Sequence, residues 1–160
     1  MGKTFLKIIF RVGMITAMVL PLLPAMASAD NYPAMISKVR GEVVVIRQGR
    51  TQEIAKAGTH LSEADEIRTG ENAYAEILLD ENAGAGRLEV HEKSHLRLRA
   101  LQKKSDTGER ITLLQEAIGK VNVHVQKLKG DSKFEVETPT ATTGVRGTDF
   151  TVEVRETGKK

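Results

Sequence analysis

The chain of 160 residues has no cysteine and no tryptophan, and its tyrosines and phenylalanines number only two and four. Without Cys there is no disulfide framework, thiolate nucleophile, Cys-ligated zinc or lipidated-Cys anchor. Beyond residue 29 the only aromatics are Tyr32, Tyr74, Phe134 and Phe150. The core must therefore come from Val, Leu, Ile and Ala, which suit thin, flat layers better than a wide barrel interior. Acid is missing from the first 29 residues, which hold Lys3, Lys7 and Arg11. Those three account for the formal charge of +3, and the remainder carries 21 basic against 21 acidic residues. A neutral remainder excludes a strongly basic nucleic-acid binder, whose affinity rests on uncompensated Lys and Arg.

Residues 1–29 read as a secretory signal. Lys3 and Lys7 give a positive start, Val12 to Leu23 are apolar, Pro21 and Pro24 break the helix, and Ala27-Ser28-Ala29 is a small-x-small cleavage site before Asp30. The competing reading is an uncleaved membrane anchor. Either places the rest outside the cytoplasm: periplasmic or secreted if cleaved, membrane-held only if not. The expected division is a short N-terminal segment at 30–36, one domain over 37–155 and a tail at 156–160.

From Met35 onward the pattern has period two. Val43 and Val45 alternate with Glu42, Val44 and Ile46. Ala73, Ala75, Ile77 and Leu79 alternate with Tyr74, Glu76 and Leu78. The same holds for Leu88 and Val90, for Leu96 and Leu98, for Val121, Val123 and Val125, for Phe134 and Val136, and for Phe150, Val152 and Val154. Such alternation means strands with one buried and one wet face. Turn residues interrupt at short intervals: Gln48-Gly49, Thr69-Gly70, Asp80 to Gly86, Thr107-Gly108, Gly119, Gly130-Asp131, Thr138-Pro139, Gly144 and Gly147. The fold class is all-β, a single domain of many short strands forming a flattened β-roll or solenoid-like sandwich. Arg110 to Ile118 has room for a helical turn.

The order Val39-Arg40-Gly41-Glu42-Val43, then Leu61 to Gly70 (Leu-Ser-Glu-Ala-Asp-Glu-Ile-Arg-Thr-Gly), then Ala73 to Asp80, then Gly144-Val145-Arg146-Gly147-Thr148-Asp149-Phe150, resembles the FecR-type extracytoplasmic domain over about residues 37–155. The resemblance implies a β-rich domain outside the inner membrane that acts by protein–protein contact. In the iron-transport regulators that name the family, the domain belongs to a transmembrane anti-sigma regulator. Only ten residues precede Arg11 here and none follows Lys160, so the expectation is a stand-alone secreted member. The signature Gly144 to Phe150 reads as structural: glycines for an irregular corner, Arg146 forking onto Asp149 or Asp65, and Phe150 plugging the core. Its competing reading is an anion cradle.

Other constellations are thinner. His91 and His95 would face each other if 87–91 and 95–99 formed a hairpin, with Glu89 or Glu92 as a third metal ligand; otherwise they are solvated surface histidines. Asp80-Glu81-Asn82 with Gly84 and Gly86 faintly resembles a calcium loop but lacks the alternating ligands. His95, Arg97, Arg99, Arg87, Lys120 and His124 would form one basic strip if their strands were neighbours. There is no Gly-x-Ser-x-Gly and no phosphate-binding glycine loop. The expectation is a non-catalytic module without cofactor or metal, whose partner is an envelope protein or, alternatively, cell-wall glycan such as peptidoglycan. Tyr74 is the mid-chain aromatic for stacking a sugar.

Overall fold

The computed structural model describes residues 29–48, 50–80 and 83–155. The expected leader, apart from Ala29, and the tail at 156–160 lie outside the described residues. No helix among the described residues is long and apolar enough to cross a membrane.

The architecture is all-β. Among the described residues thirteen strands follow in order: β1 (Ala29–Asn31), β2 (Ala34–Arg40), β3 (Val43–Arg47), β4 (Thr51–Ile54), β5 (His60–Leu61), β6 (Glu66–Thr69), β7 (Tyr74–Leu79), β8 (Gly86–Val90), β9 (His95–Lys104), β10 (Arg110–Val125), β11 (Lys133–Glu137), β12 (Thr142–Val145) and β13 (Asp149–Val154). They form one curled open sheet. One half runs β4-β3-β6-β9, continues into the first part of β10, and extends through β11 to β12. The other half runs β5-β2-β7-β8, with β8 and β13 both pairing the last part of β10. Inward side chains of both halves form a single core that includes Ile36, Val45, Ile67, Ile77, Leu88, Leu98, Leu114, Val123 and Phe134. Each fully buried aliphatic side chain contributes roughly 1.5–3 kcal/mol, and most of this core is aliphatic, as the composition requires.

β10 belongs to both halves because it bends at Gly119. Its φ there is 109°, and a Cβ would stand 2.2–2.5 Å from atoms of Ser94. Only glycine fits both constraints. The chain passes from one half to the other at Gly41, at Glu71-Asn72 and at Glu92-Lys93, and these crossings stack beside the bend. The Gly70 N–H donates to the Glu42 carbonyl at 2.9 Å, and the Lys93 N–H to the Gly70 carbonyl at 3.1 Å. The Asn72 N–H is held by the Glu92 carboxylate at 2.6 Å. Beneath them, the Thr69 hydroxyl donates to the His91 carbonyl at 2.5 Å and accepts from the Ser94 N–H at 3.0 Å. The Ser94 hydroxyl accepts from the Lys120 N–H at 2.9 Å. Thr69 and Ser94 are buried, so these bonds replace lost water.

One expectation needs correction. Arg110 to Ile118 is no helical turn but the first half of β10, paired with β9 and, in parallel, with β11. Its alternation is hidden in the sequence because both faces carry aliphatics: Thr112 and Leu114 are buried while Ile111 and Leu113 are half-buried. The segment 30–36 contains β1 residues and the start of β2 and reaches into the core. Tyr32, Ala34 and Ile36 are core residues, and the Tyr32 hydroxyl meets the Thr112 hydroxyl at 2.5 Å. Burial raises the Tyr32 pKa well above its ordinary value. Leu61 to Gly70 is a turn into a strand, as expected, and its Asp65 carboxylate is buried against the Arg47 guanidinium at 2.6 Å and the Ser62 N–H at 2.9 Å.

Gly119→Ala is expected to destabilise by about 2–5 kcal/mol, combining overpacking with a left-handed backbone. Gly144→Ala, whose new Cβ would meet only Glu135 at an ordinary 3.7 Å, is expected to change stability by less than about 0.5 kcal/mol. Urea denaturation of the two variants checks the contrast.

Candidate functional site

The last third of the chain is the least buried part of the fold. After β11, whose Phe134 and Val136 are buried, the chain turns at Pro139-Thr140. The Thr138 N–H donates to the Ala141 carbonyl at 2.7 Å, and the Thr138 hydroxyl accepts from the Ala141 N–H at 3.0 Å. β12 returns antiparallel to β11 with Phe134 opposite Val145 and Glu137 opposite Thr142. Thr142, Thr143 and Gly144 are exposed. Among the described residues β12 pairs only with β11. Counting the antiparallel alternation from the Thr138–Ala141 bond, the N–H and C=O of Thr142 and Gly144 point to the free side.

The signature residues divide by role. Gly147 has φ 88°, and a Cβ there would stand 2.8 Å from the Lys127 Cα, so this turn requires glycine. Gly144 has neither constraint. Val145 and Phe150 are half-buried and pack against the core, and the Thr148 carbonyl accepts from the Val125 N–H at 3.2 Å. Arg146 is exposed and makes no fork. Asp65 is taken by Arg47, and Asp149 lies 3.2 Å from the His124 ring.

The structure separates His91 from His95, because β8 and β9 lie in different halves of the sheet and do not pair. The His91 ring stands edge-on to Tyr74 with centroids 6.0 Å apart, while His95 Nε2 is 2.8 Å from a Glu66 oxygen. No group of three or more His, Asp or Glu among the described residues is placed to hold a metal ion. The single basic strip is also divided. Arg87 and His124 pair across β8 and β10 and share Glu89. His95 and Arg97 gather around Glu66, and Arg99 meets Glu137 at 2.5 Å. Asp80 is held by Arg110 at 2.6 and 2.8 Å with Lys103 at 3.6 Å, which suits a structural ion cluster and not a calcium ligand; Glu81 and Asn82 lie outside the described residues. Tyr74 is half-buried, with the Arg40 guanidinium 5.7 Å from its ring centroid.

A cleft of about 740 Å³ lies beside the bend, between Arg68, Lys93, Lys120 and Arg155. Three of these cations already face carboxylates: Arg68 faces Glu66, Lys93 faces Glu71, and Arg155 faces Glu153.

One group escaped the sequence reading. Glu116 is 0% exposed, sits opposite Leu96, and neither carboxylate oxygen has a partner. Burial, aided by the nearby Glu153 charge, pushes its pKa up to about 8. Placing 110–118 on a strand would have found it, since Glu116 shares the inward register of Thr112 and Leu114.

Residues 65–160 match the family described as FecR protein. The chain belongs to the FecR family. That family is regulatory and signalling in character and generally extracytoplasmic. The FecR match takes in β6 to β13, and so the bend, Glu116 and the exposed β12 edge. No curated protein and no solved structure matches the chain.

A carboxyl with a raised folded pKa keeps a proton that the unfolded chain has released. Stability therefore falls as pH rises from the ordinary 4.5 toward about 8, and levels off above. The expected slope is roughly 1.4 kcal/mol per pH unit. Glu116→Gln is expected to flatten this fall and to be more stable than the parent at pH 8, read by urea unfolding across pH 5–9.

Proposed function

We propose that this FecR-family chain is a non-catalytic periplasmic or secreted module that relays a signal by protein–protein contact, with the free edge of β12 as its contact surface. The observation that carries the reading is the bare edge itself. Thr142 to Gly144 is an exposed strand that runs into the family signature at Gly144, with backbone donors and acceptors directed away from the sheet. Unpaired edges are usually blunted with charge, proline or a bulge. β12 itself has none of these, and such an edge accepts an added strand. Gly144 supports the same reading. It weakens the strand without any need of the fold, and an unrequired glycine in a strand suits close approach by another backbone. Export after cleavage near Ala29-Asp30 agrees with the family's general location.

A strain lacking this chain, compared by transcript profile with its parent, tests the reading. Restoration of the altered transcripts is expected from the wild-type chain and not from Thr142→Pro, which removes an outward N–H while leaving the pairing to β11. Circular dichroism checks that the variant is folded. Full restoration by folded Thr142→Pro sinks the edge as the contact surface. Retention of the chain on purified peptidoglycan, unaltered by Thr142→Pro, would favour the glycan-binding alternative.

A further inference from the structure

We infer that the occupant of the β12 edge is an extended segment of a partner protein that carries acidic side chains toward the Arg146 end. This rests on the edge reading above and names the chemistry of the partner. The ion pairs among the described residues engage most of the basic side chains, but none involves Lys127, Lys129, Lys133 or Arg146, all exposed. The fold brings these four to one end of β12. Lys133 starts β11, just before Phe134, and Arg146 follows Val145, the partner of Phe134, so the two cations flank the last paired residues. The backbone of Lys127 lies directly against Gly147, the residue after Arg146. Lys129 closes the same connection, its carbonyl accepting from the Ser132 hydroxyl at 2.6 Å.

Three acids share this region, of which Glu109 is already taken by Lys104 at 2.7 Å. Asp131 is exposed at the tip of the connection, where its N–H is held by Glu109 at 2.9 Å. Glu135 sits opposite Gly144 and leans over that bare position. Four cations against the two acids not engaged by Lys104 leave the Arg146 end positive, while Glu135 makes the middle of the edge unfavourable for acid. A strand added to β12 thus meets attraction for carboxylates at one end only. That sets its direction as well as its composition, since like charges opposite one another repel. Among the described residues no ion pair engages these four cations, which leaves them open to carboxylates of another chain.

Site-specific photocrosslinking of the full chain in its own cell envelope tests the inference. A benzophenone residue replaces Thr142, and a control replaces Gln52 on β4 at the far edge. Crosslinked peptides are identified by mass spectrometry. The expected result is a crosslink specific to Thr142, to a protein segment with net negative charge in the roughly eight residues around the attachment. Its yield should fall about tenfold in the triple variant Lys127→Glu, Lys133→Glu, Arg146→Glu. The triple Gln variant, which adds no repulsion and serves should the Glu set fail to fold, should lower it less but measurably. A crosslink that survives both triple variants, or joins a neutral or basic segment, a second copy of this chain or a glycan, overturns the acidic-partner inference and leaves a β12 contact standing. Absence of any crosslink above the Gln52 control overturns both that inference and the edge reading.

Discussion

The fold depends on a stack of corners. Chain crossings at Gly41, Glu71-Asn72 and Glu92-Lys93 hydrogen-bond to one another beside the bend of β10, with Thr69 and Ser94 buried underneath. A curled sheet must change direction without leaving backbone groups dry and unpaired. Here each corner supplies the partner for the next, and the Gly119 backbone lies directly on Ser94 because no side chain keeps them apart. Loss of that approach would separate the last part of β10 from its first, and with it β8 and β13 from β9.

The aliphatic core leaves little room for polar groups, and those it admits are treated differently. Asp65 is buried but bonded to Arg47 and to the Ser62 N–H. Thr112 meets Tyr32. Glu116 alone among these has no partner, and its place near the bend, flanked by Ala117 where the register with β9 shifts, makes this the least comfortable part of the core. Ionising an unpaired carboxyl there costs far more than leaving a proton on it. The inner face of the domain is thus sensitive to pH, whereas its outer face is covered by exposed ion pairs that contribute little individually.

The outer charges are sorted by position. On the central strands nearly every cation faces a carboxylate, as His95 and Arg97 do around Glu66. Toward β12 the pairing stops, and the edge becomes a run of threonines and glycine with unpaired cations at its Arg146 end. A central strand is covered by neighbours on both sides, but an edge strand is covered on one, so only there can backbone groups and charge be offered together to another chain.

Period-two alternation was enough to establish the all-β class, and strands such as Val43 to Ile46, Leu88 to Val90 and Val121 to Val125 were legible because one face is dry and the other wet. Gly119, Gly147 and Thr69 were legible as corners, since little else tolerates left-handed backbone or satisfies a buried turn, whereas Gly144, also read as a corner, lies within β12. The same alternation failed for Arg110 to Ile118, where aliphatics on both faces erase the contrast, and so hid Glu116. Pairing was beyond it altogether. Whether His91 faces His95, whether Arg146 meets Asp65, and whether Lys133 lies beside Arg146 depend on which strands become neighbours. Strand neighbours are chosen by packing across the whole core, and that long-range choice, unlike the local rhythm of side chains, exists only once the sheet has closed over itself.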